Sequence, residues 1–125
     1  MLTLYRGMKE GSEGKPECGS TGRTLGVRVP DDIKADAEGR VHPETGGMSV
    51  APDDPMRLRP HRRPRALLGT SPDAVFALAV VDLGATLCAR QDSPTHAVVE
   101  PASTTELPFY IASLHATRPN WTKIA

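Results

Sequence analysis

Four short stretches carry the side chains that could do chemistry. In Leu4-Tyr-Arg-Gly7, Arg6 ends a run that alternates apolar and polar residues. A guanidinium there is either a solvated arginine on an edge strand or a two-pronged anchor for a phosphate or ribose, with Gly7 letting the ligand come close. In Thr45-Gly-Gly-Met-Ser-Val50, Gly46 and Gly47 precede a short apolar step interrupted by Ser49. This is either a turn leading into a strand, or a place where a ligand approaches the backbone from Thr45 to Gly47 and Ser49 directs its hydroxyl at it. His96 opens a run that closes on Glu100, and strand alternation puts His96, Val98 and Glu100 on one side, with Ala97 and Val99 on the other. That side is either a partly exposed sheet edge or a polar site. Finally, Arg57 to Arg65 holds five arginines and one histidine in nine residues. It is a solvated loop, a phosphate-binding loop or a docking surface for an acidic partner.

Other chemistries find little support. There is no Gly-x-Ser-x-Gly elbow and no His-Glu-x-x-His, and no histidine stands at metal spacing from either cysteine, Cys18 or Cys88. The two cysteines form no close pair, so neither a zinc site nor a redox motif is expected, and nothing requires a disulfide. With 15 basic and 15 acidic residues, overall charge gives no reason to invoke nucleic acid or membrane as partner. No apolar run is long enough to span a bilayer and no basic-then-apolar leader opens the sequence. A soluble protein without a cleaved signal peptide is the expectation.

The elements that must position these residues are mostly short strands. At 125 residues the chain is expected to be one domain, 1–125, with a small core, since only 4% of residues are aromatic. The 11 glycines and 12 prolines foretell many loops. Strands are expected at Leu2–Arg6, Leu25–Val29, Met48–Val50, Ala74–Val81, Thr86–Arg90 and His96–Glu100, with Asp31–Asp36 a turn or short strand. Arg57–Pro72 is expected to be irregular and extended by its prolines. One helix is signalled: Ser103-Thr-Thr-Glu106 has capping-box spacing, Pro108 falls in the first turn, and Leu107, Tyr110, Ile111 and Leu114 share a face. Pro119 would end it. The pattern is α+β: an antiparallel sheet closed by one C-terminal helix.

Taken together, the motifs resemble the ADP-ribosyltransferase fold. More closely, they resemble the bacterial toxin family of the type VI secretion exported effector two. The resemblance runs through Thr3–Arg6, the Glu38-Gly39 turn, Pro43–Val50, Arg90–Ser93, His96–Ala102 and the helix before Trp121, and so covers most of the chain. Its most specific part is Pro-x-Thr-Gly-Gly-x-Ser-Val, at Pro43 to Val50.

The resemblance implies a split antiparallel sheet whose two central strands part to form an NAD cleft. It implies that Arg6 holds phosphate or ribose, that the Thr45–Ser49 segment lines the nicotinamide side, and that Tyr5 packs against the nicotinamide ring. His96 and Glu100 would meet the ribose hydroxyls, the role of Glu100 coming from the wider ADP-ribosyltransferase pattern. Cleaving the nicotinamide–ribose bond passes through an oxocarbenium-like ion, which a carboxylate and fixed donors stabilise. The expected catalytic set is Arg6, Ser49, His96 and Glu100, and the expected cofactor-binding set is Tyr5, Arg6, Gly7, Thr45, Gly46, Gly47 and Ser49. NAD is the expected substrate and no metal is expected. The implied activity is transfer of ADP-ribose to a protein or nucleic-acid target, arresting growth. NAD hydrolysis, or a catalytically inactive module that binds a nucleotide or partner, are the alternatives. The implied partner is an acidic immunity protein or antitoxin, with no membrane. The toxin would stay in the producer's cytoplasm, or be secreted by a contact-dependent system to act in the target-cell cytoplasm. The Arg57–Arg65 loop is expected to be an exposed docking surface outside the NAD pocket.

Overall fold

The computed structural model describes residues 1–125. In chain order the strands are β1 (Thr3–Met8), β2 (Arg40–Val41), β3 (Met48–Pro52), β4 (Ala74–Ala79), β5 (Leu87–Ser93), β6 (His96–Pro101), β7 (Thr105–Glu106) and, after the helix α1 (Leu107–Ala116), β8 (Thr122–Lys123). Six of them form an antiparallel sheet in the order β5-β6-β3-β1-β4-β8, and β2 pairs with β7 in a small second sheet. The molecule is thus α+β, an antiparallel six-stranded sheet with one C-terminal helix.

At the centre of the large sheet is a seam where the ladder is short. β1 pairs with β4 along its whole length, from Thr3↔Ala79 to Met8↔Ala74. With β3 it pairs only at Leu4↔Pro52 and Tyr5↔Ala51. From Ser49 back to Met48, β3 follows β6 instead, through Ser49↔Val98 and Met48↔Val99. The two central strands therefore separate beyond Tyr5, and the backbone on either side of the gap must find other partners.

One face of the sheet builds the core. Leu4, Met8, Met48, Val50, Phe76, Leu78, Ala97 and Val99 are buried there together with Tyr110 and Leu114 of α1 and the single tryptophan, Trp121. Leu107 and Ile111 pack partly buried against the same cluster. The helix face foreseen from sequence is the one that docks. Its end, just before Pro119, is as expected, but its start differs. Glu106, not Ser103, is the N-cap residue, and no side chain caps it. The chain around Ser103 is instead drawn into β7, pairing Thr105 with Val41. Pro108 does occupy the first turn. The helix stops at Ala116, where Pro119 forbids its continuation, and Thr117 Oγ1 donates to the Leu114 carbonyl at 2.7 Å and accepts from Trp121 Nε1 at 2.9 Å. That pair satisfies the indole N–H in a dry site and turns the chain back toward β8.

The Tyr110 hydroxyl stitches α1 to the seam. It donates to the Val99 carbonyl and accepts from Met48 N at 3.3 Å. Burial pushes its phenol well above the ordinary value.

Candidate functional site

The residues at the parting of β1 and β3 decide what that gap can do. Arg6 lies there, only 5% exposed. Its Nη1 donates to the Ser49 carbonyl at 2.7 Å, bridging the two strands where their ladder fails. Nε and Nη2 donate to the Thr24 carbonyl at 3.1 and 2.8 Å, and Nη2 also faces the carbonyls of Thr21 and Gly26 at 3.3 and 3.5 Å. No carboxylate is within ion-pair distance of it. Burial is the main force on its pKa, lowering it well below the ordinary guanidinium value to about 10, with Asp32 partly countering. Arg6 is charged at neutral pH, but its donors are already committed to protein carbonyls.

This cage also decides the backbone of Leu25–Val29. Leu25–Val29 was expected to be a strand and is not one: apart from an isolated bridge between Cys18 and Leu25, it joins no ladder. Leu25 and Val27 are buried as the alternation suggests, but the carbonyls of Thr24 and Gly26 turn to the Arg6 guanidinium. An alternating pattern reports which side chains are inside. It does not say where the backbone groups go.

The turn before β3 also has an internal cause. Gly46 has φ +130°, and a Cβ on it would lie 2.2 Å from the Asp32 carbonyl oxygen. A Cβ on Gly47 would lie 2.3 Å from the Val99 carbonyl oxygen, while Gly47 N donates to Asp32 O at 3.0 Å. The paired glycines let neighbouring backbone close in, and Gly46 and Gly47 stand outside the cleft. So does Thr45, whose hydroxyl donates to the His42 carbonyl at 2.7 Å.

A cleft of about 490 Å³ opens over the parted strands. Of the expected catalytic and cofactor-binding residues, Arg6, Gly7, Ser49 and His96 line it. Ser49 uses its carbonyl for Arg6, while its hydroxyl has no protein partner. His96 is held through Nδ1 to Asp92 Oδ1 at 2.7 Å, which leaves Nε2 free. Tyr5 does not line the cleft, nor does Glu100.

Glu100 is 3% exposed and fully engaged. It accepts from Glu44 N at 2.8 Å, from Arg90 Nε at 3.1 Å and from Cys88 Sγ at 3.6 Å. It ties β5 and β6 to the turn before β3. Burial first, and then the Glu100 charge, push the Cys88 thiol up. Strand alternation correctly puts His96 and Glu100 on one face, yet the two stand at opposite ends of β6, and only His96 reaches the cleft.

The largest revision concerns Arg57–Arg65. The segment is neither extended nor outside the cleft. It winds through three consecutive single turns of 3₁₀ helix, Pro55–Arg57, Pro60–Arg62 and Arg65–Leu67. Prolines open the first two, where a missing N–H costs nothing. This arch crosses β1 at Gly7, where a Cβ would sit 2.5 Å from the Arg62 carbonyl oxygen. Gly7 thus admits the arch. Arg57, Arg59, His61 and Arg62 form one wall of the cleft, while Arg63 turns inward, 9% exposed, and Arg65 stays outside. On the same rim Arg28 pairs with Asp32 at 2.9 Å. Asp32 is the only carboxylate lining the cleft. The arginine cluster is plain in the sequence, but its placement depends on a glycine fifty residues upstream.

No model of a known protein family matches this chain, and no curated protein matches it.

Proposed function

We propose that this chain is an NAD-consuming toxin of the ADP-ribosyltransferase kind, which transfers ADP-ribose to a cellular target. The observation that carries this reading is the parting of β1 and β3 around Arg6 beneath an arginine-lined cleft that also holds Ser49 and His96. A cleft of this volume falls within the range of small-ligand sites. Its guanidiniums suit a pyrophosphate, and its unpartnered serine hydroxyl and imidazole Nε2 suit a ribose and a nucleophile.

The chemistry balances with these groups. The bond between C1′ of the ribose and the nicotinamide nitrogen breaks, its electron pair leaves with nicotinamide, and an oxocarbenium-like sugar remains. The acceptor's oxygen or nitrogen bonds to C1′ and gives its proton to His96 Nε2. Asp92 holds the His96 ring in place. Ser49 Oγ fixes a ribose hydroxyl. Asp32 is the carboxylate within the cleft, and Glu100 serves the scaffold. Water as acceptor would make the same site an NAD glycohydrolase.

One observation favours a second reading. The only cleft carboxylate is tied to Arg28, so a site that binds a nucleotide without cleaving it also suits the geometry. Incubation with NAD labelled in the adenylate separates the three. Label on a protein or nucleic acid supports the transferase, nicotinamide release without label the hydrolase, and neither the binding module. An immunity protein or antitoxin for such a toxin is expected to be acidic and to cover the arginine wall. No helix is long and apolar enough to cross a membrane.

A further inference from the structure

Arg6 is the residue expected from the sequence to hold phosphate, yet its donors are spent on the carbonyls of Thr24, Ser49, Thr21 and Gly26. The free donors are on the opposite wall. Arg57 gives one bond, to the Pro52 carbonyl at 2.9 Å, and Arg62 gives one, to the Gly22 carbonyl at 2.9 Å. The Arg59 side chain has no partner. None of the three takes part in any ion pair, in a chain with as many acidic as basic residues. Three arginines left without carboxylates on one wall of a cleft repel one another, unless an anion joins them. Their wall is rigid for its size, since two of the guanidiniums pin the arch to β3 and to the loop before Thr24, and Gly7 lets it lie flat on β1.

We propose that Arg57, Arg59 and Arg62 form a binding site for a pair of linked phosphates, a pyrophosphate group, and that Arg6 is the pin that holds the sheet open beneath it. The match is to linked phosphates because a pyrophosphate spreads more oxygens and more negative charge across the three guanidiniums than one phosphate does. The arch, foreseen as a docking surface, is then part of the ligand site. This deepens the NAD reading and rests on it for the natural ligand, but the phosphate site itself is testable without NAD.

Calorimetric titration with inorganic pyrophosphate and with orthophosphate, on the full chain at low and moderate salt, tests it. Pyrophosphate is expected to bind at least about tenfold tighter than orthophosphate and to weaken with salt. Arg59→Gln, which breaks no contact of the fold, is expected to weaken pyrophosphate about tenfold or more, on the scale of one charge-assisted pair. Arg65→Gln, on the same arch but outside the cleft, is expected to bind as wild type. Absence of pyrophosphate binding, equal affinity for the two anions, unchanged affinity in Arg59→Gln, or an equal loss in Arg65→Gln each overturns the proposal. The NAD reading is scored separately by nicotinamide release. A chain that binds pyrophosphate through Arg59 and leaves NAD intact keeps the phosphate site and loses the NAD chemistry. One that cleaves NAD with Arg59→Gln unimpaired in pyrophosphate binding does the reverse.

Discussion

Replacing Arg6 by lysine separates an organising arginine from a ligand anchor. The guanidinium serves two closely held carbonyls, Ser49 at 2.7 Å and Thr24 at 2.8 and 3.1 Å. A lysine ammonium is a point charge without the fork, and it cannot reach across the seam to both. At least one carbonyl is left without a partner, at a cost of about 1–3 kcal/mol. The charge remains buried, and an ammonium is more costly to dehydrate than a guanidinium. The sum is about 3 kcal/mol, a large part of the roughly 5–15 kcal/mol that holds a domain folded. For a chain of this size that lowers Tm by about 10 °C. The pH dependence is diagnostic. Burial depresses the pKa of a lysine, so over the interval between its folded and unfolded values the unfolded chain binds more protons, and stability rises with pH. Arg6→Met loses the same bonds but also removes the buried charge, which burial disfavours strongly enough to hold the guanidinium pKa well below its ordinary value, at about 10. It is therefore expected to be no less stable than Arg6→Lys near neutrality, and flat with pH. Thermal unfolding followed by Trp121 fluorescence, together with circular dichroism at several pH values, measures all of this. An Arg6→Lys protein as stable as wild type, with no rise toward alkaline pH, would refute the view that Arg6 acts on the fold.

Ser49→Ala is expected to leave Tm within about 1 °C, since its hydroxyl bonds nothing in the protein, and to abolish toxicity; full toxicity of the folded variant removes the serine from the site. Glu100→Gln is expected to destabilise by about 1–2 kcal/mol through the bonds to Glu44 N and Arg90, with turnover per folded molecule largely kept; a stable variant that has lost about 100-fold in turnover would instead restore Glu100 to catalysis. Gly46→Ala is expected to unfold the chain or cost more than about 3 kcal/mol, because the strained φ and the Asp32 carbonyl at 2.2 Å both oppose a Cβ; wild-type stability in urea would show that the turn has another conformation. Asp73, buried against Arg23 at 2.7 Å, has a carboxyl held below its ordinary 3.8 first by that bond, as hydrogen bonds hold Asp36 and Asp53. Their stabilisation is present above pH 3.8 and is lost as pH falls through the lower folded values, and Asp73→Asn should flatten that acid limb in a pH series of unfolding curves.

Strands β1, β3, β4, β5 and β6 and the helix were legible because apolar residues alternate or run together over a strand's length, and recur on one helix face with a period of about three and a half. His96 to Glu100, Ala74 to Ala79 and the Leu107–Leu114 face all follow from that. The clustering of arginine at residues 57 to 65, and the glycine pair before Ser49, were legible as features but not as placements. Whether Gly46 and Gly47 admit a ligand or another segment's carbonyl depends on what lies across from them, and that is Asp32 and Val99, at distances along the chain that no local pattern encodes. In the same way Leu25–Val29 has the side-chain pattern of a strand, but its carbonyls serve Arg6. The loop of arginines becomes a cleft wall only because Gly7 leaves room for the Arg62 carbonyl. Side-chain burial is a local property, repeated with the backbone period, so one sequence can state it. The partner of each backbone carbonyl and the open side of each arginine are set by segments distant in sequence, and only the folded chain brings those together.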